Sequence, residues 1–173
     1  MVFSFSKVRI YKLLIVLVFV LFSTKIIAAT PFDDHSGHNH HHGEWEIALV
    51  GGGVFLFHED ELALGTHLHL LRSIDKVKGL NLGVGLEAIF ANHIHFSASI
   101  AAKYEFWKNF GILLAPGVQF VNHHNSWESA FSAHFELIYE FKVGRYHIGP
   151  AVGYSISKED KHASLGLHVG YSF

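Results

Sequence analysis

The chain has 173 residues, the size of one domain, and while 50% of them are hydrophobic only 16% are charged. Soluble domains carry about 25% charged residues, so much of this surface is expected to avoid water. A formal net charge of −2 excludes the basic footprint of nucleic-acid binding, and the absence of cysteine excludes disulfides, thiolate metal sites and lipoprotein attachment.

Residues 1–29 read as a secretory signal. Lys7, Arg9 and Lys12 form a basic start, Leu13 to Phe22 is apolar, and Ser23 to Ala29 is a small, polar end with cleavage expected after Ala29. The apolar run of ten residues rises only about 15 Å as a helix, half of the roughly 30 Å hydrocarbon layer, so it is too short for an anchor. Residues 30–43, TPFDDHSGHNHHHG, have no apolar periodicity and are expected to form a disordered tail. Its histidines His35, His38, His40, His41 and His42 are candidate ligands for Zn, Cu or Ni, because clustered imidazoles bind metal with little geometric demand.

From Glu44 to Phe173 the pattern is strict alternation, the period of a strand. Eight strands are predicted, with one large apolar face. In order, this face holds Trp45 to Phe57, Leu62 to Leu70, Leu80 to Phe90, Ile94 to Phe106, Phe110 to Phe120, Trp127 to Phe141, Tyr146 to Tyr154 and Leu165 to Phe173. The opposite face is Gly, Ala, Ser, His and Glu. Two barrels fit this alternation, a soluble one with the large residues inside and a membrane one with them outside. Volume decides, because an eight-stranded interior has no room for the Phe, Tyr, Trp and Leu set but suits small residues with a few larger polar groups. Aromatic residues gather at both ends of the strands, as in interfacial girdles: Trp45, Tyr104, Phe106, Phe110, Tyr139, Tyr146, Tyr171 and Phe173 at one, Phe57, Phe90, Phe96, Phe120, Trp127 and Tyr154 at the other. Arg72 is the one charge expected on the lipid face, at a strand end where it can snorkel. Pro116 and Pro150 fall inside strands, where β-bulges are expected to accommodate them.

The last strand, Leu167-His168-Val169-Gly170-Tyr171-Ser172-Phe173, resembles the terminal strand of outer-membrane barrel proteins, and residues 44–173 resemble the small eight-stranded members of that group. The resemblance implies a closed, antiparallel, up-and-down transmembrane β-barrel in a bacterial outer membrane. It implies lipid around the barrel, an assembly machinery that reads Phe173, and a monomer; no functional residue carries over from it. Eight strands exclude a wide diffusion porin, and the short outer loops argue against an adhesin.

With both termini on the periplasmic side, each outer turn has histidine in or beside it: His58, then His93 and His95, then His123 and His124, then His162. Within strands, His67, His69, His95, His134, His147, His162 and His168 all fall on the small, polar face. His67, His69, His134 and His168 are the first candidates for a transition-metal site in the barrel, with Glu136 beside His134. His67-x-His69 on a strand puts two rings on one face, about 6.8 Å apart at the backbone. The competing reading is structural, with histidine filling space beside glycine and bonding Glu or Ser. No catalytic residues are expected. The minor alternative, a hydrolase, rests on His95, Ser97 and Glu87.

Overall fold

The computed structural model describes residues 45–123, 126–158 and 160–173, with the side chains of all but His123 and Ser126. The expectations for the signal, the histidine tail and His124 lie outside the described residues. Among the described residues nine strands form: β1 Trp45–Leu56, β2 Glu61–Ser73, β3 Leu80–Phe90, β4 Ile94–Trp107, β5 Phe110–His123, β6 Ser126–Tyr139, β7 Phe141–Val143, β8 Tyr146–Ser157 and β9 Lys161–Ser172. Neighbours pair antiparallel in chain order, and β1 pairs with β9, which closes the sheet. The strands β6 and β7 both pair with β8 in one continuous register, so they are two parts of one stave and the barrel has eight.

Alternation sets the faces as expected. The barrel exterior carries Leu, Val, Ile and aromatic side chains, with Leu64 70% and Ile100 71% exposed. A continuous apolar belt of this kind is a lipid face. Arg72 lies 5.6 Å over the Trp45 ring at one rim. Lys161, at the far rim, shares the outward face as a second charge, because the last stave already begins there. The aromatic ends hold up: Phe110 and Tyr139 meet edge to face at 4.7 Å at one rim, and Phe57 and Tyr154 lie 6.4 Å apart at the other.

Three expectations need correction. Neither proline sits in a bulge, since the registers through Pro116 and Pro150 do not shift. Opposite Pro116 the β4–β5 ladder lapses between Ser99↔Gly117 and Ala102↔Leu114 and then resumes in register. Opposite Pro150 the sixth stave breaks at Glu140, between β6 and β7, where a single extended strand was expected. A proline lacks a ladder donor, and here each ladder loses two successive residue pairs, which leaves the alternation of side chains intact. The one register shift in the β4–β5 ladder is at Glu105/Trp107, beside the turn.

The third correction concerns the interior. It holds more apolar bulk than the Gly, Ala and Ser set suggests: Leu56, Leu71, Ile89, Leu113 and Ile138 are all fully buried. One apolar group joins Val50, Leu71, Ala101, Leu113, Ala115, Ile138 and Ala151, and a second joins Val54, Leu56, Ala63 and Ile89. The polar side chains are thereby confined to the space these groups leave, away from bulk water.

Candidate functional site

Inward-facing positions of all eight staves place a line of polar side chains through the lumen. At the end that carries Trp45 and Phe173, Lys103 of β4 is fully buried. Its ammonium donates to both oxygens of Glu46, at 2.9 and 3.1 Å, and to Glu140 Oε1 at 2.5 Å. His147 Nε2 stands 3.4 Å from Glu46 Oε1, and His168 Nε2 stands 3.2 Å from Glu140 Oε1. The His147 and His168 rings stack with centroids 5.2 Å apart. Two buried carboxylates around one ammonium repay part of the large cost of taking these charges out of water.

The middle of the lumen is built differently. Glu136 Oε1 lies 3.1 Å from His67 Nδ1 and 3.0 Å from His134 Nε2. The other ring nitrogen of His134, Nδ1, faces Glu87 Oε1 at 3.6 Å. Glu87 Oε1 is also 3.3 Å from His162 Nε2, while Glu87 Oε2 accepts from Ser97 Oγ at 3.1 Å. His162 Nδ1 is held by Asp160 Oδ2 at 3.0 Å. The order along this line is Asp160, His162, Glu87, His134, Glu136, His67. Glycines make room for the rings: a Cβ at Gly85 would come within 2.9 Å of His67 Nε2, and one at Gly153 within 3.3 Å of His134 Nε2.

One fact sets the middle apart. Among the described ion pairs, the carboxylates Glu87, Glu136 and Asp160 face imidazoles and no Lys or Arg. Several buried polar atoms there lack a hydrogen-bond partner, namely Glu136 Oε2, His134 Nδ1, Asp160 Oδ1 and both ring nitrogens of His69, as do His147 Nε2 and both ring nitrogens of His168 at the Lys103 end. Buried polar atoms are nearly always satisfied, so a group of them marks a place for water or an ion. A void of about 20 Å³, lined in part by His67, Glu87, His134 and Glu136, adjoins the atoms in the middle.

Among the described residues, three sets of side chains have ligand atoms within 4.8 Å of one another: His67, His134 and Glu136; Glu87, His134 and His162; and Glu46, Glu140, His147 and His168. Of the sequence candidates, His67 and His134 come together, joined by Glu136. His69 packs against His67, with ring centroids 3.9 Å apart, well inside the backbone spacing. His168 stands with the Lys103 group instead. Sequence reasoning left Glu46, Glu87 and His162 out of its metal candidates, although the alternation that puts Trp45 on the lipid face turns Glu46 inward. Of the hydrolase residues, Ser97 gives its hydroxyl to Glu87, and His95 Nδ1 meets Gln119 Nε2 at 3.3 Å.

No family model matches the sequence, and no curated protein sequence is significantly similar to it. The fold, however, is that of the small outer-membrane barrels. The crystal structure of Neisserial surface protein A is similar with a TM-score of 0.55 and 10% identity, over 75% of this chain and 96% of that one. The attachment invasion locus protein Ail of Yersinia pestis is similar with a TM-score of 0.52 and 15% identity, over 76% of this chain and 99% of that one. Ail has also been crystallised with the heparin analogue sucrose octasulfate, and that structure is similar with a TM-score of 0.53 and 14% identity, over 76% of this chain and 99% of that one.

Proposed function

We propose that this chain is a small, non-enzymatic barrel of a bacterial outer membrane that binds a transition-metal ion inside its lumen, between His67, His134 and Glu136. The apolar exterior and the likeness of fold support the membrane setting. The observation that carries the metal reading is the middle of the lumen: buried carboxylates opposed only by imidazoles, with ligand atoms within 4.8 Å of one another and orphaned polar atoms at the same place. Two imidazoles and a carboxylate with an open fourth position suit Zn, Cu or Ni. The histidine tail would add weaker, labile ligands.

The Lys103 group makes a poorer site although it has four possible ligands, since an ammonium already stands between Glu46 and Glu140. The lumen therefore has one end compensated by a lysine and a middle that is left for an ion.

Calorimetry with Zn²⁺ on the full chain in detergent tests this. The expected result is a tight class of binding over a weak one, with the tight class lost in His67→Ala and in Glu136→Gln. Both classes weaken as pH falls from about 7.5 to about 5.5, because imidazole protonates near 6.5 and the protonated ring cannot ligate. Titrations of the two variants that match the unaltered chain would reduce the lumen histidines to packing and hydrogen bonding.

A further inference from the structure

We infer that His134 bridges two metal ions, one on each ring nitrogen, so that the lumen site is binuclear. The inference rests on the lumen site proposed above and extends it. His134 is common to two of the three-residue sets, and its nitrogens point to different carboxylates: Nε2 to Glu136 at 3.0 Å and Nδ1 to Glu87 at 3.6 Å. One ion takes His67 Nδ1, His134 Nε2 and Glu136. The other takes His134 Nδ1, Glu87 and His162 Nε2. His134 Nδ1 is buried without a hydrogen-bond partner, on a residue only 6% exposed.

Two further features fit a pair of ions. Asp160 bonds His162 Nδ1 at 3.0 Å, which leaves Nε2 turned toward Glu87. Metal-binding histidines almost always donate their second nitrogen to such a partner, which fixes the ring and raises its basicity. Formal charge also closes. When both nitrogens of His134 ligate, the ring gives up its proton to solvent and becomes an imidazolate. That anion and the carboxylates of Glu87, Glu136 and Asp160 together balance two divalent cations. A single ion would leave buried negative charge for the remaining histidines to neutralise by protonation.

The full chain, loaded with Cu²⁺ in detergent and followed by electron paramagnetic resonance, tests the bridge. Two Cu²⁺ ions joined by an imidazolate couple magnetically, so their ordinary signal is lost while chemically counted copper remains. Copper on the tail keeps its ordinary signal and is the internal reference. The expected result is a coupled pair in the unaltered chain. Glu87→Gln and His162→Asn should lose the coupling and a single copper per chain, and the remaining lumen copper should regain an ordinary signal. His134→Ala should lose both lumen coppers, with heat-modifiable migration confirming that each variant is folded. If the unaltered chain shows no coupling while His67→Ala and Glu136→Gln still release copper, the lumen site stands and the bridge is wrong. If none of these variants changes the bound copper, the lumen site itself fails, and the bridge with it.

Discussion

Lys103 and His134 solve the same problem, a buried carboxylate pair, in opposite ways. Lys103 supplies a permanent cation between Glu46 and Glu140. Removing one partner of a buried ion pair costs about 3–5 kcal/mol, because the other charge stays buried without compensation. Lys103→Met is therefore expected to lower barrel stability by about that amount in urea titrations at neutral pH. It should also free Glu46, Glu140, His147 and His168, so that added Zn²⁺ recovers part of the lost stability through a site the unaltered chain does not offer. Unchanged stability in Lys103→Met would mean that the ammonium does not hold these carboxylates. At this scale the sequence was half legible. The inward direction of the seven strand histidines followed from alternation alone. Which carboxylate meets which histidine did not, since the register across staves brings together residues as distant in sequence as Glu87 and His162.

The staves show what alternation can and cannot say. It predicted the lipid face through all eight, and the sharpest test of that face is charge. Arginine at Leu114 or Leu167 is expected to cost about 2–4 kcal/mol in unfolding from lipid vesicles, and arginine at the inward Ser99 less, where the lumen offers carboxylates. A lumen arginine that proved consistently the more damaging would contradict the assignment of faces. Alternation was silent on the break at Glu140, because missing pairs leave the side-chain pattern untouched. The break has a local cause in β8: Pro150 withholds a donor, and at Gly149 the Tyr139 carbonyl oxygen occupies the space a Cβ would need. At Gly51 a Cβ would meet nothing within 4 Å. Gly149→Ala should therefore destabilise the barrel by about 1–3 kcal/mol more than Gly51→Ala, a difference that thermal unfolding in detergent would read. Equal effects would mean that β8 shifts away from the β6–β7 stave at little cost.

For the whole molecule, closure depends on the seam between the first and last strands. Trp45 and Phe173 exchange backbone hydrogen bonds there, with N···O distances of 3.0 and 2.8 Å. Phe173→Ala keeps those bonds and removes only the outward aromatic ring, so the yield of assembled barrel should fall while secretion continues; normal yield and heat-modifiable migration would contradict a role for that ring in assembly. Closure also makes the lumen a fixed frame, filled by apolar groups except for Lys103, a few amides and hydroxyls, and a line of imidazoles and carboxylates. The claim on which the functional account turns is that this line holds metal. Crystals soaked in Zn²⁺ and measured at the zinc absorption edge test it most directly. The account predicts an anomalous peak between His67, His134 and Glu136, with ligand distances of about 2.0–2.2 Å. A lumen without any such peak, with His134 Nε2 still hydrogen-bonded to Glu136 Oε1 at 3.0 Å, would contradict it.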